Sequence, residues 1–249
     1  MLQKVTGIVV RTVNYGESNK VVTLFTEELG KVAVMARGAK KPGSRLHASS
    51  QPFVEAVYIF PASRGLGQLK SSDVITSYPE VRKDVDRMAY AMYLLELVDR
   101  TVEDRVPNRP LYRVLNDALQ ALNAGMDPDV ITHHFELRIL HLLGVAPVLT
   151  GCIRCNDVTD PMYFSVTAGG FLCSRHNEEG SIRMSERLAK LLYWMSRHEL
   201  SEFTNVPLTK ETRLLLRQLF DAYMDSYSGL RLKTKRVLEQ MQRLHLNDD

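Results

Sequence analysis

A chain of 249 residues with 45% apolar and 24% charged side chains has ordinary globular composition, which argues against a disordered or fibrous protein. No apolar run approaches the ~20 residues that cross a bilayer, and no apolar segment follows Met1 as in an export signal, so a soluble, cytoplasmic protein is expected. The net charge of +3 does not announce nucleic acid by itself, but residues 1–80 carry ten Lys/Arg against six Asp/Glu and the rest of the chain is near neutral.

Residues 1 to about 80 read as strands: Val5–Val13, Lys20–Thr26, Lys31–Arg37, Phe53–Phe60, and Gly67–Lys70 continuing through Val74–Thr76. They are rich in β-branched and aromatic residues and punctuated by Asn14-Tyr15-Gly16 and Glu27-Glu28-Leu29-Gly30. An open sheet of this size would leave edges exposed, so closure into a five-stranded OB-type β-barrel is predicted over residues 1–80. Between the third and fourth strands runs Arg37-Gly-Ala-Lys40-Lys41-Pro-Gly-Ser-Arg45-Leu-His47. Gly38 to Gly43 has the spacing of the front half of a phosphate-binding P-loop, but Ser44-Arg45 stands where Lys-Ser/Thr is needed and Pro42 lacks an N–H. The stretch therefore reads as a flexible cationic clamp on a polymer backbone, with no nucleotide cofactor. Arg37, Lys40, Lys41 and Arg45 are the leading phosphate contacts, with Arg11 and Lys20 behind them. Tyr15, Phe53, Tyr58 and Tyr78 are candidates for stacking on unpaired bases. The alternative is a solvated basic loop over core aromatics. Gly65-Leu66-Gly67 lacks the helix a dinucleotide site requires.

Near Pro79 the hydrophobic period changes from two to 3.6. Helices are predicted at Asp84–Val98, apolar almost all round and so central; at Leu111–Leu122; and from about Pro128 to Leu143, opened by an Asp127 N-cap with proline behind it. Ser185-Glu186 and Thr209 open two more, and the basic run Arg231–Arg236 opens a last amphipathic helix over Val237–Leu244. Residues 81–150 and 177–249 are expected to pack as one helical domain.

Between those helical stretches lie all three cysteines: Cys152-Ile-Arg-Cys155, seventeen residues, then Cys173-Ser-Arg-His176. Two such ligand pairs predict a closed Cys3His site for structural Zn2+ on an inserted ribbon-like hairpin, residues 151–176, with its turn at Thr167–Gly170. Cysteines used this way suit a reducing compartment. A closed site has no open position for chemistry, so no catalytic residue is assigned and the protein is expected not to be an enzyme. The competing enzyme reading is a nucleobase deaminase, from His134-Phe135-Glu136 upstream of Cys152-x-x-Cys155. It would leave Cys173 and His176 without a role, and these histidines read as ordinary helix residues, some half-buried. The fold class expected is therefore α+β multidomain: barrel, helical domain, inserted zinc ribbon.

Gly7-Ile-Val-Val-Arg11, Asn14-Tyr-Gly-Glu17, Lys20–Thr26, Gly30-Lys31 and Ala36-Arg-Gly-Ala-Lys-Lys41, with the same order of parts to the C-terminus, resemble the RecO family of bacterial DNA repair and recombination mediator proteins. The resemblance implies binding of single- and double-stranded DNA, annealing of complementary strands without ATP, and loading of RecA, indirectly, onto DNA covered by single-stranded-DNA-binding protein. It implies RecR and the acidic, apolar-ended C-terminal tail of single-stranded-DNA-binding protein as partners, no membrane, and a bacterial, nucleoid-associated location. His176 departs from the fourth cysteine common in zinc-bearing relatives. A zinc-ribbon and OB-fold adaptor of transcription or translation, binding RNA or polymerase, is the alternative function.

Overall fold

The computed structural model describes residues 1–63, 65–159, 162–203 and 206–247, with side chains to residue 241. Arg64, one of the ten N-terminal cations, lies outside the described residues. The chain forms two compact units, Met1–Gly125 with Leu232–Asp249, and Met126–Arg231.

In the first unit six strands make one curled sheet: β1 (Leu2–Tyr15), β2 (Asn19–Thr26), β3 (Gly30–Ala36), β4 (Glu55–Pro61), β5 (Gly67–Gln68) and β6 (Ser71–Thr76). Their order is β5-β3-β2-β1-β4-β6. The first strand is long because it serves two neighbours, β4 along its first half and β2 along its second, with a bulge between Val9 and Arg11 just past Gly7 and Ile8, which both ladders share. The expected fifth strand is in fact two short ones. Gly67–Gln68 pairs in parallel with β3, the Leu69 amide still donates to the Met35 carbonyl, and the Lys70 amide already donates to the Ile59 carbonyl of β4. One stretch of chain thus supplies both outer members of the sheet, which is why the sheet curls rather than lying open. Strict alternation along β3 turns Val32, Val34 and Ala36 inward, where they meet Val5, Val9, Val22, Leu24, Tyr58, Phe60 and Leu69. Each fully buried aliphatic of this kind contributes roughly 1.5–3 kcal/mol. Gly30 has φ +68°, and a Cβ there would lie 2.2 Å from the Val106 carbonyl oxygen, so only glycine allows the 104–106 segment to dock on the β2–β3 turn.

The helices α1 (Pro79–Lys83), α2 (Val85–Thr101) and α3 (Arg109–Ala124) belong to this same unit, as does α7 (Lys233–Asn247). This compact unit thus continues past the change of hydrophobic period near Pro79. Asp99 of α2 receives Arg11 Nε at 2.9 Å and lies 3.7 Å from Lys31 Nζ. Glu55, buried at the start of β4, accepts from Tyr112 Oη (2.8 Å) and Asn116 Nδ2 (2.6 Å) of α3. Burial first, and then that bond to Glu55, push the Tyr112 phenol well up. Glu96 of α2 accepts from the Lys233 and Thr234 amides at 3.1 and 2.8 Å, so its carboxylate covers the open N-terminus of α7.

The second unit holds α4 (Pro128–Leu142), β7 (Met162–Ser165), β8 (Gly170–Cys173), β9 (Ile182–Arg183), α5 (Glu186–Arg197) and α6 (Lys210–Tyr227). The Asp127 side chain caps α4 by accepting from the Asp129 amide, while Ser185 and Thr209 cap α5 and α6. Asp127 also accepts from Arg213 Nη2 at 2.7 Å, and the buried Asp129 from Arg217 Nε at 2.9 Å, tying α4 to α6. The three short strands form a sheet of order β8-β7-β9. At the expected hairpin turn Gly170 has φ +156°, with space for a Cβ taken by the Val148 carbonyl oxygen at 2.3 Å. Among the described residues no helix is long and apolar enough to cross a membrane.

Candidate nucleic-acid interface and metal centre

The Arg37–His47 loop leaves β3 beside the β1–β2 turn and is fastened to it. The Gly38 amide donates to Asn19 Oδ1 (2.9 Å) and the Lys40 amide to the Ser18 carbonyl (2.9 Å). His47 Nδ1 lies 2.9 Å from the Ala39 carbonyl, and the Lys41 and Ser44 amides bond back to the Gly38 and Lys41 carbonyls. The expected flexible clamp is thus a string of turns pinned at its base by the fully buried Ala39. Arg37, Lys40, Lys41 and Arg45 are all exposed. Among the described residues none of the four pairs with a carboxylate; the Lys40 ammonium reaches only the Gly16 carbonyl, at 3.5 Å. Lys20 stands opposite Asn14 and Ala36, one residue from the loop, and is half-buried on the inward face with Val22. Arg11 lies further along β1 and spends its Nε–H on Asp99, leaving the rest of its half-exposed guanidinium outward.

The aromatic candidates separate sharply. Tyr15 is 59% exposed and pairs across the turn with Asn19, the residue that tethers the loop. Phe53, Tyr58 and Tyr78 are at most 2% exposed and cannot stack on a base. Tyr58 points inward with Ala56 and Phe60 and donates to the Ser49 carbonyl at 2.8 Å. Phe53 carries the Arg82 guanidinium 4.3 Å above its ring. Tyr78 reaches Asn116 of α3.

In the second unit the four expected metal ligands come together, their donor atoms all within 4.8 Å of one another. Cys152 Sγ and Cys173 Sγ lie 3.5 and 3.4 Å from His176 Nδ1, and Cys155 Sγ lies 3.8 Å from Cys173 Sγ. A tetrahedron with metal–sulfur bonds of about 2.3 Å and a metal–nitrogen bond of about 2.0–2.1 Å has S···S edges of about 3.8 Å and S···N edges of about 3.6 Å. The residues therefore fit a closed four-ligand metal site. Burial opposes ionisation of the Cys152 thiol, but the backbone amides of Cys173, Arg154 and Cys155 outweigh it and bring the thiol down to about 6. The knuckle is closed by the Asn156 amide donating to the Cys152 carbonyl (2.7 Å) and the Cys152 amide to the Asp157 carbonyl (2.7 Å).

Family models describing the N-terminal and C-terminal parts of recombination protein O match residues 1–78 and 82–236. The chain belongs to the RecO family. It is 85% identical over 249 residues, the whole of both chains, to the DNA repair protein RecO of an Exiguobacterium species. It is 55% identical over 251 residues to that of Exiguobacterium sibiricum, and 44% identical over 247 residues to that of Bacillus subtilis, covering 97% of this chain and 96% of the relative. RecO-family membership places the chain in DNA repair and recombination, and the curled sheet is its OB-like domain.

Two of the histidines of α4 serve this RecO-family chain structurally, while His141 is exposed. His133 and His134 are buried, not half-buried. His133 Nδ1 meets Glu136 Oε2 at 2.8 Å while its ring stacks on Phe220. His134 Nε2 donates to the His198 carbonyl at 2.9 Å. The His134 and Glu136 groups a deaminase would need are committed to these packing contacts. What sequence reasoning could not place is a cavity of about 310 Å³ between α5 and residues 202–203 and 206–212. It is lined by Leu188, Leu191, Trp194, Phe203 and Leu208, with Arg187 and Lys190 also on its wall.

Proposed function

We propose that this chain is a non-enzymatic recombination mediator. It binds single- and double-stranded DNA, anneals complementary strands without ATP, and helps load RecA onto DNA covered by single-stranded-DNA-binding protein. The observation that carries the reading is the cluster of four exposed cations, without carboxylate partners among the described residues, on the loop that follows β3 in the curled sheet of a RecO-family chain. Such cations need break no ion pair to meet phosphate, and phosphate contacts supply affinity without sequence information. Neutralising phosphates on two strands lowers their mutual repulsion and lets complementary bases meet. Arg37, Lys40, Lys41 and Arg45 take the phosphates, the outer edge of Arg11 extends the track, and Tyr15 offers a stacking face; Lys20, turned inward, lends its charge from beneath the loop. With β5 and β6 counted as one strand, the curled sheet is a five-stranded OB barrel.

The Cys3His group is proposed to hold Zn2+, with Cys152, Cys155 and Cys173 as thiolates and neutral His176 binding through Nδ1. Zinc there would act structurally, holding the ribbon against Val148. The cavity beside α5 is proposed to receive the apolar end of the tail of single-stranded-DNA-binding protein, with Arg187 and Lys190 meeting its acidic residues; RecR is the second partner. The test is annealing of complementary oligonucleotides already coated with single-stranded-DNA-binding protein, with and without ATP. Acceleration independent of ATP supports the reading. No acceleration, or binding only to RNA, would replace it with the adaptor function.

A further inference from the structure

The four metal ligands are not equally protected. Cys152 and Cys173 are buried and His176 is half-buried, but Cys155 is exposed. Arg175 Nη2 lies 3.9 Å from its sulfur, but that side chain is itself 71% exposed and does not shield the thiolate. Cys173 Sγ stands 3.8 Å behind it, close enough to act as a second thiol.

The knuckle these ligands hold is also a wall. Leu149, Gly151 and Val158 from the knuckle, Met162 and Phe171 from the ribbon, and Tyr193 from α5 line a groove of about 480 Å³. Gly151 is packed so closely under residues 156–158 that a Cβ would sit 3.1 Å from the Asn156 and Asp157 carbonyl oxygens. The position of Val158 in that wall therefore depends on the knuckle staying closed.

We propose that Cys155 is the oxidation site of this centre, through which hydrogen peroxide discharges the metal and opens the 149–158 wall of the groove. The Cys155 thiolate attacks one peroxide oxygen, breaking the O–O bond and releasing water after protonation, and becomes a sulfenic acid. The Cys173 thiolate then attacks the Cys155 sulfur and displaces the oxygen as a second water. Two thiolates give up two electrons, one peroxide takes them, and two solvent protons complete the waters. A sulfur in a disulfide is no longer an anionic ligand, so two of the four donors are lost at once and the ion leaves.

This inference rests on the zinc reading, and the experiment separates the two. Zinc in the intact, gently purified chain is first measured by elemental analysis. The loaded chain is then titrated with hydrogen peroxide, zinc release is followed with a chromophoric chelator, and cysteine states are mapped by mass spectrometry. The expected result is release of the bound zinc at about one peroxide per chain, with a Cys155–Cys173 disulfide and faster tryptic cleavage after Arg154 and Arg175. Limited alkylation with iodoacetamide should mark Cys155 before the other two. Cys155→His keeps four ligands and should retain zinc while needing at least about tenfold more peroxide to lose it. A chain with no zinc at the outset removes both readings. A zinc-loaded chain that keeps its metal, or whose first modified thiol is Cys152 or Cys173, or whose Cys155→His variant loses zinc as readily, overturns the oxidation site and leaves the zinc reading standing.

Discussion

Replacing Arg37, Lys40, Lys41 and Arg45 together by alanine is expected to flatten the salt dependence of DNA binding without unfolding the protein. All four side chains are exposed and make no ion pair among the described residues, so each substitution should change stability by no more than about 0.5 kcal/mol. If each cation neutralises one phosphate, the log–log slope for single-stranded DNA should become shallower by up to about 2.8, at about 0.7 per phosphate. Between about 50 and 200 mM salt that difference amounts to roughly a fifty-fold convergence of the wild-type and variant affinities. Fluorescence anisotropy of a labelled oligothymidylate over a salt series measures the slope, and thermal melting checks the fold. Parallel slopes with an unchanged melting temperature would remove the loop from the binding mechanism.

Tyr15→Ala should weaken single-strand binding by about 1–3 kcal/mol with the slope unchanged, whereas Tyr58→Ala should lower the melting temperature; equal binding losses from both would refute the assignment of faces. Asp129→Ala removes the buried partner of Arg217 and one partner of Arg213, and should cost about 3–5 kcal/mol in denaturant unfolding; a loss under 1 kcal/mol would show the network to be dispensable. Burial, which outweighs the bond to the His198 carbonyl, holds the His134 imidazole down at about 4. Its folded value is therefore below its unfolded value of about 6.5, so its contribution is complete above that value and is lost as pH falls towards 4. The loss should be about 2 kcal/mol by pH 5, and His134→Gln, measured by denaturant unfolding in parallel, should lack it; identical pH profiles would contradict the shift.

Much of the chain was legible because its signals are local. Asp127-Pro128 starts α4, the Gly169-Gly170 pair turns the hairpin, and the spacing of Cys152, Cys155, Cys173 and His176 brings four donors to one point. What could not be read depends on distant partners. Val54 to Phe60 is apolar at nearly every position, so alternation does not reveal that Tyr58 faces inward, and Phe53 precedes β4 with φ +54°, outside any strand pattern. The division of residues 67–76 follows from a change of partner between Leu69 and Lys70 that leaves no mark on composition. Strand β9 is two residues long, too short for a period. The return of α7 to α2 rests on Glu96 meeting Lys233 and Thr234, residues 137 and 138 positions away, and nothing near Glu96 announces it.

The Arg37–Arg45 loop is proposed to drive annealing. The most direct test of this is the rate at which two complementary oligonucleotides coated with single-stranded-DNA-binding protein pair in the presence of the wild-type chain and the four-alanine variant, without ATP and with each protein at a concentration that saturates the DNA. The wild type should accelerate pairing and the variant should fall to the rate without added protein. Equal acceleration by the two at saturation would contradict the account, because annealing would then run through some other surface.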